Sequence, residues 1–285
     1  MKRQYFPQRT WFLVLLSGLV LFLATDWALA ATSNPNYLPT VILIGAFLVP
    51  VTFVVYTYQR VPIGEIPLAP ITITFLCGVA LCTILAGVLE YQTARQLGAL
   101  SLFGVGLIEE TAKLVVPVIF FLRRRYLHEA DGLLFGIAAG MGFAALETMG
   151  YGFVIYLQSQ GNLNILHQTL LVRGLLSPAS HAAWTGLVCA SLWRQRQKAG
   201  HAVLNFSIIG TFFIAVILHA AWDIAGSFSQ SAGSQYAYVD FIGFAVVAAI
   251  SLTLLIIRLR SAHHTPDKPA EINTTLTPDS VGKKI

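Results

Sequence analysis

Long apolar runs alternate with short polar segments along the whole chain. Eight runs, at 11–30, 39–58, 70–89, 100–122, 132–157, 176–193, 203–224 and 239–258, are each mostly apolar. Runs of about 18–25 such residues fit helices that cross a bilayer. The pattern therefore predicts an all-α fold, a polytopic membrane helix bundle of about eight transmembrane helices. Residues 1–260 read as one transmembrane domain. Residues 261–285, with His263-His264, two prolines and scattered Ser, Thr, Asp and Lys, read as a disordered cytosolic tail. Pro50, Pro62, Pro67 and Pro70 punctuate the second run and the segment after it. No internal repeat is visible, which speaks against the many transporter folds built from repeats.

Three apolar runs are broken by isolated polar groups, and a fourth holds a cluster of them. Glu109, Glu110 and Lys113 lie in the middle of 100–122. Each such group at bilayer depth costs roughly 2.5–3.5 kcal/mol even on the lenient insertion scale, so it faces protein or a water-filled cavity and marks function by default. Glu147, His181 and the pair His219/Asp223 occupy three later runs. With helices alternating in direction, Glu109, Glu147, His181, His219 and Asp223 fall at one level, between the midplane and the outer third of the bilayer. Residues converging on one cavity must share a level; independent structural pairs need not.

Composition and charge sharpen this picture. Of 285 residues, 56% are hydrophobic and 11% charged, against about 25% charged in soluble domains. The formal net charge is +5. Its placement points to membrane topology and not to nucleic acid. If the N-terminus is cytoplasmic, the inner segments hold the basic groups at both ends, at Arg60, at Arg123–Arg125 and at Arg194–Lys198, whereas the outer loops hold only Arg95 and Arg173. That bias places both termini in the cytoplasm. Lys2, Arg3 and Arg9, the apolar run from Trp11, and Ala28-Leu29-Ala30 together have the form of a signal peptide. The apolar run continues past Asp26 to Ala31, which favours a retained helix; cleavage would leave seven helices in the same orientation. Cys77, Cys82 and Cys189 all lie in apolar runs without a CxxC spacing, so they read as small buried apolar residues.

Helix geometry places the ionisable groups. Glu109 and Lys113 are four apart and share a face, with Gly106 beside them to admit a neighbouring backbone. Glu110 points about 100° away. Pro117 cannot donate to the Lys113 carbonyl, so a local kink is expected. Gly132, Gly136, Gly140 and Ala144 form a small-residue ladder for close helix packing, and Phe143 and Glu147 lie on the same arc. Ser177, His181 and Thr185 are expected as one polar stripe, with Gly186 beside it. His219 and Asp223 are four apart, so the carboxylate is expected to orient the imidazole. His128 and His201 in inner loops and His167 in an outer loop are expected to be solvated.

Carboxylates and imidazoles can activate water, polarise a carbonyl and protonate a leaving amine, which are the needs of peptide hydrolysis. Two designs fit. In one, Glu147, His181 and His219 bind a Zn²⁺ with an open position and Glu109 or Glu110 is the general base. In the other, a Glu activates water directly and His219 with Asp223 stabilises the oxyanion. HExxH, a GxSxG elbow and a Cys beside a His are all absent. A proton- or ion-coupled transporter or channel would instead relay charge through Glu109, Glu110, Glu147 and Asp223. A haem carrier would use His181 and His219 as axial ligands. A noncatalytic protein that binds membrane partners would need none of this chemistry.

Glu109-Glu110-x-x-Lys113, Phe143-x-x-x-Glu147, His181 with Gly186, and His219-x-x-x-Asp223, in order on successive helices, resemble the PrsW family of intramembrane proteases. That family sits in a wider group with the CAAX-prenyl endopeptidases. The resemblance covers about residues 100–225. It departs at Thr148, where many relatives carry Asn. It implies a membrane-embedded hydrolase of a membrane-anchored protein such as an anti-sigma factor, cut on its outer side. It also implies an integral protein of a prokaryotic plasma membrane, whose partners are the bilayer and that substrate.

Overall fold

A computed structural model describes residues 9–60, 66–97, 101–232 and 237–263. The cytosolic tail expected at 261–285 lies, from residue 264 on, outside the described residues. The described chain is helical throughout, without a strand. Its helices are α1 (Thr10–Thr32), α2 (Leu38–Arg60), α3 (Leu68–Cys77), α4 (Thr83–Leu97), α5 (Ser101–Leu122), α6 (Glu129–Gln158), α7 (Leu163–Leu176), α8 (His181–Ala199), α9 (Phe206–Ala232) and α10 (Ala237–His263). A π-helical turn, Gly78–Cys82, joins α3 to α4.

Helix α6 is the axis of the bundle, packed on α2, α3, α5, α7 and α8. Its glycines explain how it can be surrounded. A Cβ on Gly140 would lie 2.3 Å from the carbonyl oxygen of His181, and one on Gly136 would lie 2.5 Å from that of Thr185. Towards α3, a Cβ on Gly142 would lie 2.1 Å from the carbonyl oxygen of Phe75. Backbones this close exclude any side chain, as small-residue ladders in membranes require. The expected ladder thus packs α6 on α8, and Gly142 adds a second contact face. Towards the C-terminal end of α8, Arg196 donates to the carbonyl oxygens of Phe121 and Tyr126, and Trp193 Nε1 donates to that of Tyr126 at 2.9 Å. These bonds fasten the α5–α6 turn to α8.

Among the described residues, six helices are long and apolar enough to cross a membrane: α1, α2, the α3–α4 rod, α6, α9 and α10. The two expected spans outside this set are α5, with Glu109, Glu110 and Lys113, and α8, whose last two turns carry Arg194, Arg196 and Lys198. Charged side chains lower the apolarity of both helices: those of α5 are buried, whereas of the three on α8 only Arg196 is.

Two details differ from expectation. The run 176–193 is not one helix. Ser177–Ala179 forms a 3₁₀ turn, Ser180 adopts φ −116°, ψ −99°, and α8 begins only at His181. Pro178 lacks the N–H that would continue a helix from α7. The polar stripe therefore keeps His181 and Thr185 and loses Ser177. The segment after α6, expected to be an outer loop, contains α7. Asn162 caps it by accepting from the backbone N–H of Asn164 and Ile165. With 14 residues, it is about 21 Å long, short of a roughly 30 Å hydrocarbon core. His167 belongs to this helix and is partly exposed, as expected, but has a partner: its Nε2 lies 2.8 Å from Asp26 Oδ1 of α1. His201 is exposed and His128 is half exposed, as expected.

Candidate active site

Lys113 anchors the interior. Its Nζ lies 2.8 Å from Glu110 Oε1, 3.0 Å from Glu109 Oε2 and 2.9 Å from His181 Nδ1, and 4.2 Å from the centre of the Phe143 ring. The side chain is fully buried. Glu109 was expected to share a face with Lys113 and Glu110 to point away, yet Lys113 reaches both. The long flexible stem spans the i+3 and i+4 positions at once.

An ammonium has only donors. His181 Nδ1 must therefore accept from Lys113, which leaves the ring proton on Nε2. That atom faces Glu147 Oε2 at 3.1 Å. Glu147 Oε2 is nevertheless buried without a well-formed hydrogen bond, an alignment of the kind that tightens only in a reacting complex. The other oxygen, Glu147 Oε1, lies 2.9 Å from Arg173 Nη2.

Glu110 is saturated. Oε1 also faces His219 Nδ1 at 3.0 Å, and Oε2 accepts from Thr185 Oγ1 at 3.1 Å. Glu110 thereby connects α5, α8 and α9. The His219–Asp223 pair is looser than expected: Nε2 lies 3.7 Å from Asp223 Oδ2 and 3.4 Å from Glu109 Oε2. Glu110, on another helix, is the carboxylate that orients this imidazole. Gly106 makes room for it, since a Cβ there would lie 3.3 Å from that of His219. Trp184 packs its ring 4.8 Å from His219 and 5.4 Å from His181, and its Nε1 donates to Ser251 of α10 at 2.9 Å.

A cavity of about 700 Å³ opens beside this network. Its wall includes Glu109, Glu147 and Asp223 but neither Glu110, Lys113 nor the two imidazoles, which stand behind it. The six residues singled out from the sequence thus come together, with different exposure. Three cavity residues were missed. Glu90 of α4 ends the third apolar run, and one of its oxygens is buried without a hydrogen bond. Tyr151 sits one turn beyond Glu147. Arg173 was expected only as an outer-loop charge; that it is one of two basic residues in the segments read as outer loops was the available signal.

Among the described residues, no three His, Cys, Asp or Glu side chains are spaced to hold a metal ion. Glu147, His181 and His219 do not form a closed shell in this arrangement; the two imidazole centroids are 5.7 Å apart.

Fold and cavity together define a polytopic helical membrane protein with acids and imidazoles inside its bundle. Residues 66–255 match the family model described as PrsW family intramembrane metalloprotease. The chain belongs to that family and is a membrane protease by that membership. The match runs from the start of α3 into α10, so every residue of the cavity lies within it. No curated protein and no solved structure gives a significant match.

Proposed function

We propose that this protein is an endopeptidase that cuts membrane-anchored protein substrates of the anti-sigma-factor kind in the outer half of a prokaryotic plasma membrane, with both of its own termini cytoplasmic. The observation that carries the site assignment is the convergence of Glu109, Glu147 and Asp223, from three helices, on one cavity, with His181 and His219 directly behind them.

Glu109 and Glu147 are the carboxylates that a cavity water meets. Glu147, paired with His181, is the base that draws the proton from that water as it attacks the scissile carbonyl. The protonated Glu147, held by His181 Nε2–H, then delivers that proton to the leaving amine. His219, with Nδ1 fixed on Glu110, turns Nε2 towards Glu109 and Asp223. Protonated, that nitrogen donates to the developing oxyanion.

The donor types, though not their spacing in this arrangement, suit a divalent metal. Glu147 Oε2 and Asp223 Oδ2 are buried without hydrogen bonds, and a carboxylate on Nδ1 of His219 is the usual support of a metal-binding imidazole. In that alternative route Glu147, His181 and His219 would hold it, and the two imidazole Nε2 atoms would not carry the protons assigned above. Bound there, Zn²⁺ would supply Lewis-acid polarisation and a more acidic water.

The test is N-terminal profiling of membrane proteins in cells expressing wild type or the Glu109→Gln/Glu110→Gln double variant at matched levels. New termini in or beside a transmembrane segment, seen only with wild type, are expected. Identical profiles with both proteins stably inserted would overturn the proposal and move attention to ion flux in liposomes.

A further inference from the structure

We infer that Arg173 is a positioning residue for hydrolysis, acting through Glu147. The inference rests on the proteolytic reading above. Glu147 is held at both ends: Oε1 lies 2.9 Å from Arg173 Nη2, and Oε2 lies 3.1 Å from His181 Nε2. The guanidinium is itself fixed, with its carbon 3.9 Å from the centre of the Tyr151 ring. Tyr151 lies one turn after Glu147 on α6, so Arg173 grips two successive turns of the same helix face. A planar cation that stacks and pairs at once is a task suited to arginine and not to lysine.

The helix that carries it is a firm platform. Leu166 and Leu170 of α7 are buried in a cluster with Ile42 and Ala46 of α2. The His167–Asp26 contact fastens α7 to α1. Only the Ser177–Ala179 turn separates the end of α7 from the start of α8 at His181. Arg173 and His181 therefore approach Glu147 from two ends of one short rigid connection, and a shift of either turns the carboxylate.

Charge requires the same partner. Glu90, Glu109, Glu147 and Asp223 all line the cavity, and Arg173 is the one cation among the described residues of its wall. Without it, Glu147 would face three other carboxylates with no guanidinium to set its rotamer. The pair lies at the edge of the cavity, with side chains 22% and 18% exposed. It can thus hold Glu147 without blocking the approach of a substrate.

The experiment compares wild type, Arg173→Lys, Arg173→Gln and Arg173→Ala in proteoliposomes, with Glu147→Gln as reference, on a substrate found by the profiling above. Arg173→Gln is expected to lower kcat by about 100-fold, the order of loss from misplacing a reacting group, with KM within about twofold of wild type. Arg173→Lys should retain an intermediate rate. Added methylguanidinium should restore part of the rate of Arg173→Ala, because the site borders an open cavity. A wild-type or faster rate in Arg173→Gln would overturn the inference and mark the pair as dispensable or as a brake. A raised KM with unchanged kcat would overturn it in favour of substrate binding. If Arg173→Gln does not insert stably, Arg173→Lys and the rescue of Arg173→Ala decide: full rate in the first, or no rescue in the second, counts against the inference. Failure of the proteolytic reading looks different, since wild type and Glu147→Gln would then be equally inactive on every substrate, and both proposals would fall.

Discussion

His219 Nδ1 lies 3.0 Å from Glu110 Oε1, joining residues 109 positions apart in the chain. The contact separates two neighbouring acids that look equivalent in sequence. Glu110 is committed to Lys113, His219 and Thr185; Glu109 keeps a face on the cavity.

Glu109→Gln and Glu110→Gln should therefore fail in different ways. Glu109→Gln is expected to abolish cleavage while leaving thermal unfolding in detergent close to wild type. Glu110→Gln is expected to lose cleavage and also to unfold at lower temperature, because it weakens two contacts between helices and one within α5. Equal thermal stability of the two variants would contradict the division of roles.

Lys113→Ala leaves Glu109 and Glu110 as adjacent buried carboxylates without their cation. Removing one partner of a buried ion pair costs about 3–5 kcal/mol, so a large drop in unfolding temperature is expected. A variant that also carries Glu110→Gln should recover part of it. Lack of recovery would show that the lysine matters by its packing over Phe143 and not by its charge.

Gly140→Ala sets a Cβ 2.3 Å from the His181 carbonyl oxygen, whereas nothing lies within 4 Å of a Cβ on Gly150 of the same helix. Overpacking of this kind costs about 1–3 kcal/mol. Gly140→Ala should lower both stability and cleavage rate, since it pushes the start of α8. Gly150→Ala should leave both unchanged or raise stability slightly, alanine being the better helix former. The two unfolding midpoints are the readout.

Metal removal is expected to stop cleavage without unfolding the bundle, whose packing rests on glycine contacts and apolar surface. Dialysis against a chelator should remove a divalent ion measurable by mass spectrometry, and re-addition of Zn²⁺ should restore the rate. His219→Ala should purify with less of that ion. Full activity in metal-free protein would leave the direct carboxylate route through Glu147 and His181.

Much of this was legible from residue order alone. Hydrophobic runs of membrane length are a property of composition along the chain, so the helical class and most spans could be read directly. Helical spacing likewise placed Glu109 with Lys113, and Gly140 with Glu147, because 3.6 residues per turn is the same in any helix. Isolated ionisable groups in apolar runs marked Glu109, Glu110, Glu147, His181, His219 and Asp223. Their cost in lipid makes them conspicuous whatever surrounds them.

What the sequence could not supply were relations between helices. Pro178 ended a helix inside what read as one apolar span, because a missing N–H outweighs hydropathy at a single position. Arg173 looked like a loop charge because its partners, Glu147 and Tyr151, lie on another helix, and pairing of that range leaves no periodic trace. The choice between Glu109 and Glu110 was also undetermined, since both sit on α5 and only the packing of α8 and α9 decides which one is enclosed. Periodicity along one helix is local and survives translation into sequence; the contacts that select one acid for the cavity and tie the other to His219 exist only once the helices have packed.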